Sequence, residues 1–130
     1  MNVRTRLDRL ERGLAPALAV TLSDLVMASF GDADAMRRID VRTPPPFARG
    51  HIPSARNLAL ATDLSEESLS RLAGKDDEVV FYCTGKYCPY SAFASAKALL
   101  WGYKRVYYFA GGFPAWKNAG YPVETSAKRV

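Results

Sequence analysis

Val79-Val80-Phe81-Tyr82-Cys83-Thr84-Gly85-Lys86-Tyr87-Cys88-Pro89-Tyr90-Ser91 decides how this chain folds. Val79 to Tyr82 is an uninterrupted apolar run of strand length, the pattern of a strand buried on both sides. Ser91 to Trp101 is Ala-rich and stops at Gly102, which predicts a helix. Both cysteines of the chain fall in the connection between the two. A thiol placed there faces backbone N–H groups and a helix N-terminus, and both favour an anion. The residues therefore predict a thiolate, the nucleophilic form of sulfur.

Outward from this stretch the pattern alternates. Ala19 to Thr21 reads as a short strand, and Thr21 with Asp24 opens a helix over Leu25, Val26 and Met27 that closes near Gly31. Met36 to Val41 reads as a strand ending at Arg42. Pro44-Pro45-Pro46 predicts an extended loop, followed by one helical turn from Phe47 to Gly50. Arg56 to Leu58 is a brief strand. Ser65 caps a helix carrying Glu66 and Glu67 in its first turn, where negative charge suits the dipole. Arg105 to Phe109 is the last strand, and Gly111-Gly112 leads into a helix around Pro114 to Asn118. Alternation of this kind predicts an α/β fold with a parallel sheet and helices on its faces. Ligands bind such sheets beyond the carboxyl ends of the strands, where the loop from Cys83 begins.

The bulk properties bound the function. At 130 residues the chain is long enough for one domain with its own core. Residues 1–17 read as an appended amphipathic helix with Leu7, Leu10 and Leu14 on one side, 18–125 as the domain, and 126–130 as a frayed tail. Leu14 to Val20 is too short and proline-broken for a signal peptide, and no run is long enough to span a membrane, so a cytoplasmic protein is expected. Two cysteines are not a secreted disulfide framework. With the single histidine they make a poor zinc set, and neither metal nor cofactor is expected. The net charge of +5 reads as a solvated surface or as a match to anionic substrates or partners, without the basic and aromatic interleaving of a nucleic-acid binder.

Four stretches carry a family likeness: Ile39-Asp40-Val41-Arg42; Phe47-Ala48-Arg49-Gly50-His51-Ile52-Pro53-Ser54-Ala55-Arg56-Asn57; Val79 to Cys83; and Gly102-Tyr103 through Gly111-Gly112-Phe113-Pro114-Ala115-Trp116. In this order they resemble the rhodanese homology domain, which transfers sulfane sulfur. The resemblance implies a five-stranded parallel sheet with helices on both faces. It implies a sulfur donor such as thiosulfate or a persulfide, a thiol acceptor, and Cys83 as the nucleophile. The loop departs from the family: it is longer, holds Cys88 and Pro89, and lacks arginine. Ser54 stands where the family usually has glycine.

Several assignments stay open at this point. Cys88 resolves a Cys83 persulfide, or is itself the nucleophile, or fills space. Thr84, Gly85, Lys86 and Tyr87 are the candidate substrate-binding residues, with Lys86 either drawing in an anionic donor or pointing to water. Asp40 and Arg42 orient the loop or form a structural ion pair. His51 is expected to hold its turn by a hydrogen bond, and Gly111-Gly112 to serve a tight turn near the site. Other functions fit less well. A phosphatase-type cradle wants an arginine six positions after the cysteine, where Pro89 stands, and a thioredoxin-type pair wants two residues between its cysteines rather than four. A catalytically idle module that binds a partner protein is the non-enzymatic alternative.

Overall fold

The computed structural model describes residues 17–28, 36–85 and 88–126. The expected appendage up to residue 16, residues 29–35 with the expected helix end near Gly31, the loop residues Lys86 and Tyr87, and residues 127–130 lie outside these. In chain order the elements are β1 (Leu18–Ala19), α1 (Leu22–Ala28), β2 (Met36–Asp40), α2 (Pro44–Arg49), β3 (Arg56–Asn57), α3 (Glu66–Ser70), β4 (Glu78–Tyr82), α4 (Tyr90–Leu100), β5 (Arg105–Phe109) and α5 (Gly112–Asn118). The strands make one five-stranded sheet in the order β1-β5-β4-β2-β3, with every pair parallel.

Side chains alternate across a strand, so β4 feeds two cores at once. Val79, Phe81 and Cys83 point to one face, where Leu69 of α3 and Ala94, Ala98 and Leu99 of α4 cover them. Val80 and Tyr82 point to the other, where they meet Leu25 of α1 and Trp116 of α5. Helices thus lie on both faces. Cys83 continues the β4 alternation one step past the strand, which buries it under the first turn of α4.

Local signals explain most elements. Thr21 and Asp24 cap α1 reciprocally: the Asp24 N–H donates to Thr21 Oγ1 at 3.1 Å and the Thr21 N–H to Asp24 Oδ2 at 2.9 Å. Ser65 caps α3 in the same way with Ser68. The prolines correct one expectation. Pro44-Pro45-Pro46 is not an extended loop but the first turn of α2. Proline is tolerated there because the first N–H groups of a helix have no intrahelical partner to lose.

Ser54 has a φ of 69°. This is the left-handed region, which accounts for the glycine usual at this place in the family it resembles. The C-terminal segment is tied to the domain as far as Ser126: Glu124 pairs with His51 as an antiparallel bridge, and the Ser126 N–H donates to the Ala48 carbonyl at 3.0 Å.

Candidate active site

At the carboxyl ends of β2, β4 and β5 the chain gathers Arg42, Cys83 and Gly111-Gly112-Phe113. Cys83 and Cys88 are free thiols whose sulfurs lie 2.7 Å apart. That is close to, but outside, the disulfide bond length of about 2.05 Å. The Cys88 N–H donates to the Gly85 carbonyl at 3.0 Å, folding the loop back on itself. Thr84 Oγ1 lies 3.8 Å from the Cys83 sulfur. Of the expected site residues, Cys83, Thr84, Gly85 and Cys88 therefore come together.

The loop rests on the turn into α5. The Phe113 N–H donates to the Cys83 carbonyl at 2.9 Å. Gly112 has a φ of +66°, and a Cβ there would stand 2.5 Å from the Cys83 oxygen and 2.6 Å from the Gly85 nitrogen. Only glycine permits this approach without moving backbone. Gly112→Ala is expected to destabilise the protein by about 2–4 kcal/mol, from the left-handed backbone and the overlap together. Urea unfolding measures it, and a loss under about half a kcal/mol would show that the loop simply moves aside.

The electrostatics reverse one expectation. The sequence predicts a thiolate at Cys83, yet burial pushes that thiol up to about 11, and the hydrogen bond to Cys88 adds to the rise. Burial also opposes ionisation at Cys88. There it is outweighed by hydrogen bonds from the Cys83 thiol, the Tyr90 N–H and Thr84, so this thiol is lowered. The physical reason lies in the fold. Cys83 is 3% exposed beneath α4, whereas Cys88 is half-buried at the start of that helix, where N–H groups stabilise an anion. Either sulfur is placed to donate to the other, and the opposite shifts favour keeping the proton on Cys83. Alkylation checks this. Iodoacetamide at neutral pH is expected to label Cys88 first, with Cys83 labelled rapidly only as the pH approaches about 11. Equal labelling at neutral pH would refute the order.

Asp40 and Arg42 pair with each other. The Arg42 Nη2 donates to Asp40 Oδ2 at 2.7 Å and to the Gly50 carbonyl at 2.7 Å. Both residues are buried. The arginine sits 4.6 Å over the Phe113 ring, so it reaches the cysteine loop by way of that residue. His51 accordingly braces its own turn, with Nδ1 2.7 Å from the Phe47 carbonyl and its ring stacked on Phe47. Among the described residues no group of three His, Cys, Asp or Glu is placed to hold a metal ion, and no helix is long and apolar enough to cross a membrane. The sequence reading missed Phe113 as a contact of the cysteine loop. Its place directly after Gly111-Gly112 was the available signal.

Comparison with known proteins agrees with this geometry. The sequence model of the rhodanese-like domain matches residues 24–119. A sulfurtransferase from Allochromatium vinosum is 34% identical over 101 residues, covering 78% of this chain and 90% of that protein. An HTH-type transcriptional regulator of Mycobacterium tuberculosis is 33% identical over 113 residues; the match covers 87% of this chain but only 47% of the regulator. Among solved structures, a Bacillus halodurans protein superposes with a TM-score of 0.77 at 22% identity, covering 97% of this chain and 88% of its own.

Proposed function

The chain belongs to the rhodanese-like domain family, and from that membership we propose that it is a sulfurtransferase carrying sulfane sulfur as a persulfide on Cys83. The observation that carries the proposal is the pair of free thiols facing each other at 2.7 Å beyond the end of β4. The Cys88 thiolate is within reach to take the Cys83 proton as Cys83 attacks the outer sulfur of the donor. With thiosulfate, a bond forms between Cys83 and that sulfur. The donor S–S bond breaks, and sulfite leaves with the electron pair. The backbone of Thr84 and Gly85 cradles the anionic terminal sulfur.

Two exits are open to the persulfide. An acceptor thiolate attacks the outer sulfur, and the electron pair of the broken bond returns to Cys83. Alternatively, Cys88 attacks the inner sulfur, forms the Cys83–Cys88 disulfide and releases hydrosulfide. The sulfane sulfur is then reduced by the two thiols, and an external thiol must reduce the disulfide to reset the protein.

A second reading has its own support. The greater exposure and lowered pKa of Cys88 favour it as the attacking thiolate. Intact-mass analysis after thiosulfate or polysulfide, with and without reductant, tests the proposal, and peptide mapping locates the sulfur. Gain of one sulfur atom is the expected result. Loss of two hydrogens marks the internal disulfide. No gain from any donor would overturn the proposal in favour of a partner-binding module.

A further inference from the structure

Sulfane sulfur is not the only two-electron oxidant that suits this pair of thiols. The two sulfurs occupy unlike places. Cys88 is half-buried at the mouth of the loop, and its neighbours Thr84, Pro89 and Tyr90 are exposed. Its sulfur accepts from the Tyr90 N–H, the first N–H of the eleven-residue α4, the Pro89 before it having none. Cys83 is 3% exposed under that helix. Its sulfur lies 2.7 Å from that of Cys88, and burial keeps the proton on it.

Cleavage of a hydroperoxide calls for this division of labour. The O–O bond is opened by a thiolate that small molecules can reach, and the departing oxygen needs a proton. A lone exposed thiolate takes that proton from water and is left as a sulfenic acid, open to further oxidation. A second thiol in contact with the first removes both difficulties. It supplies the proton, and the thiolate it becomes already touches the sulfur it must attack. At 2.7 Å the two sulfurs need to approach by well under an ångström to reach bonding distance.

We propose that the Cys83–Cys88 pair reduces small hydroperoxides, with Cys88 as the attacking sulfur and Cys83 as proton donor and resolving thiol. The Cys88 thiolate forms a bond to one peroxide oxygen. The O–O bond breaks, and the other oxygen leaves with the electron pair and takes the Cys83 proton, as an alcohol or, from hydrogen peroxide, as water. Cys88 is now a sulfenic acid. The Cys83 thiolate attacks its sulfur, the S–S bond forms, and hydroxide leaves with the electron pair and is protonated by solvent. The two sulfurs are oxidised to the disulfide and the peroxide is reduced by two electrons. An external thiol then reduces the disulfide by exchange. No sulfane donor takes part, so this activity does not rest on the sulfurtransferase reading.

The test gives hydrogen peroxide to the reduced full chain with no sulfur donor present, beside N-acetylcysteine at the same pH. Intact mass follows the oxidation, and dimedone with peptide mapping locates the sulfenic acid. The native protein is expected to lose two hydrogens at a rate about 10²-fold above that of N-acetylcysteine, with early dimedone adducts on Cys88. Cys83→Ser is expected to oxidise more slowly and to stop at a sulfenic acid on Cys88. A native rate no higher than that of N-acetylcysteine, or native adducts on Cys83 instead of Cys88, would overturn the proposal, and neither readout needs a variant. A Cys83→Ser rate equal to the native one would remove Cys83 as proton donor and overturn it too. Sulfur loading is measured on a separate sample. If sulfur loads but peroxide does not close the disulfide, the inference falls and the sulfurtransferase reading stands; if peroxide closes it and no donor loads sulfur, the reverse holds.

Discussion

Cys83→Ser is expected to leave the protein without added sulfur after exposure to thiosulfate, and to lower sulfur transfer on the order of 10³-fold or more, as removal of a covalent nucleophile does. Serine keeps the shape of the loop, because its main chain is held by Phe113 and its side chain remains under α4. The loss would therefore be chemical rather than structural, which an unchanged unfolding midpoint verifies. Cys88→Ser makes the contrast. If Cys88 is the base, persulfide still forms on Cys83, more slowly by about 10²-fold, and the internal disulfide is absent. Sulfur found on Cys88 in the Cys83→Ser protein would instead move the carrier role to Cys88, as the lowered pKa of that thiol favours.

Asp40→Ala is expected to give the largest loss of stability. Asp40 is fully buried, and its carboxylate accepts from the Arg42 main-chain N–H, Nε and Nη2. Removing it leaves a guanidinium that is 7% exposed without its counter-charge. Breaking one side of such a pair costs about 3–5 kcal/mol. For a domain of this size the melting midpoint then falls by about 10–20 °C. Calorimetry or urea unfolding reads the change. A loss below about 1 kcal/mol would mean that water already reaches the pair. The effect is also expected to spread to function, since Arg42 bonds the Gly50 carbonyl and packs on Phe113, which holds the cysteine loop.

Much of the fold was legible wherever one local rule acts without a competitor. The short apolar runs at β4 and β5, rich in valine and aromatic residues, read as strands by length and composition. Thr21 with Asp24 and Ser65 announce their helices because capping uses neighbours along the chain. At Pro44-Pro45-Pro46 two local rules compete. Proline favours extended backbone in a loop, yet the opening turn of a helix accepts it, and the reading followed the first. The pinned C-terminal segment was not legible either, because Glu124 and His51 are far apart in the chain.

The order of residues by itself determined that strands alternate with helices, that the sheet is parallel, and that both sulfurs stand at the exit of β4. These follow from periodicity, capping and turn chemistry, which act over a few residues at a time. Tertiary structure added the desolvation that raises Cys83 above Cys88. The β4 alternation turns Cys83 under α4, while the helix start presents N–H groups to Cys88. Desolvation is a property of everything packed around an atom, so the contrast in acidity between these thiols exists only once sheet and helix have come together.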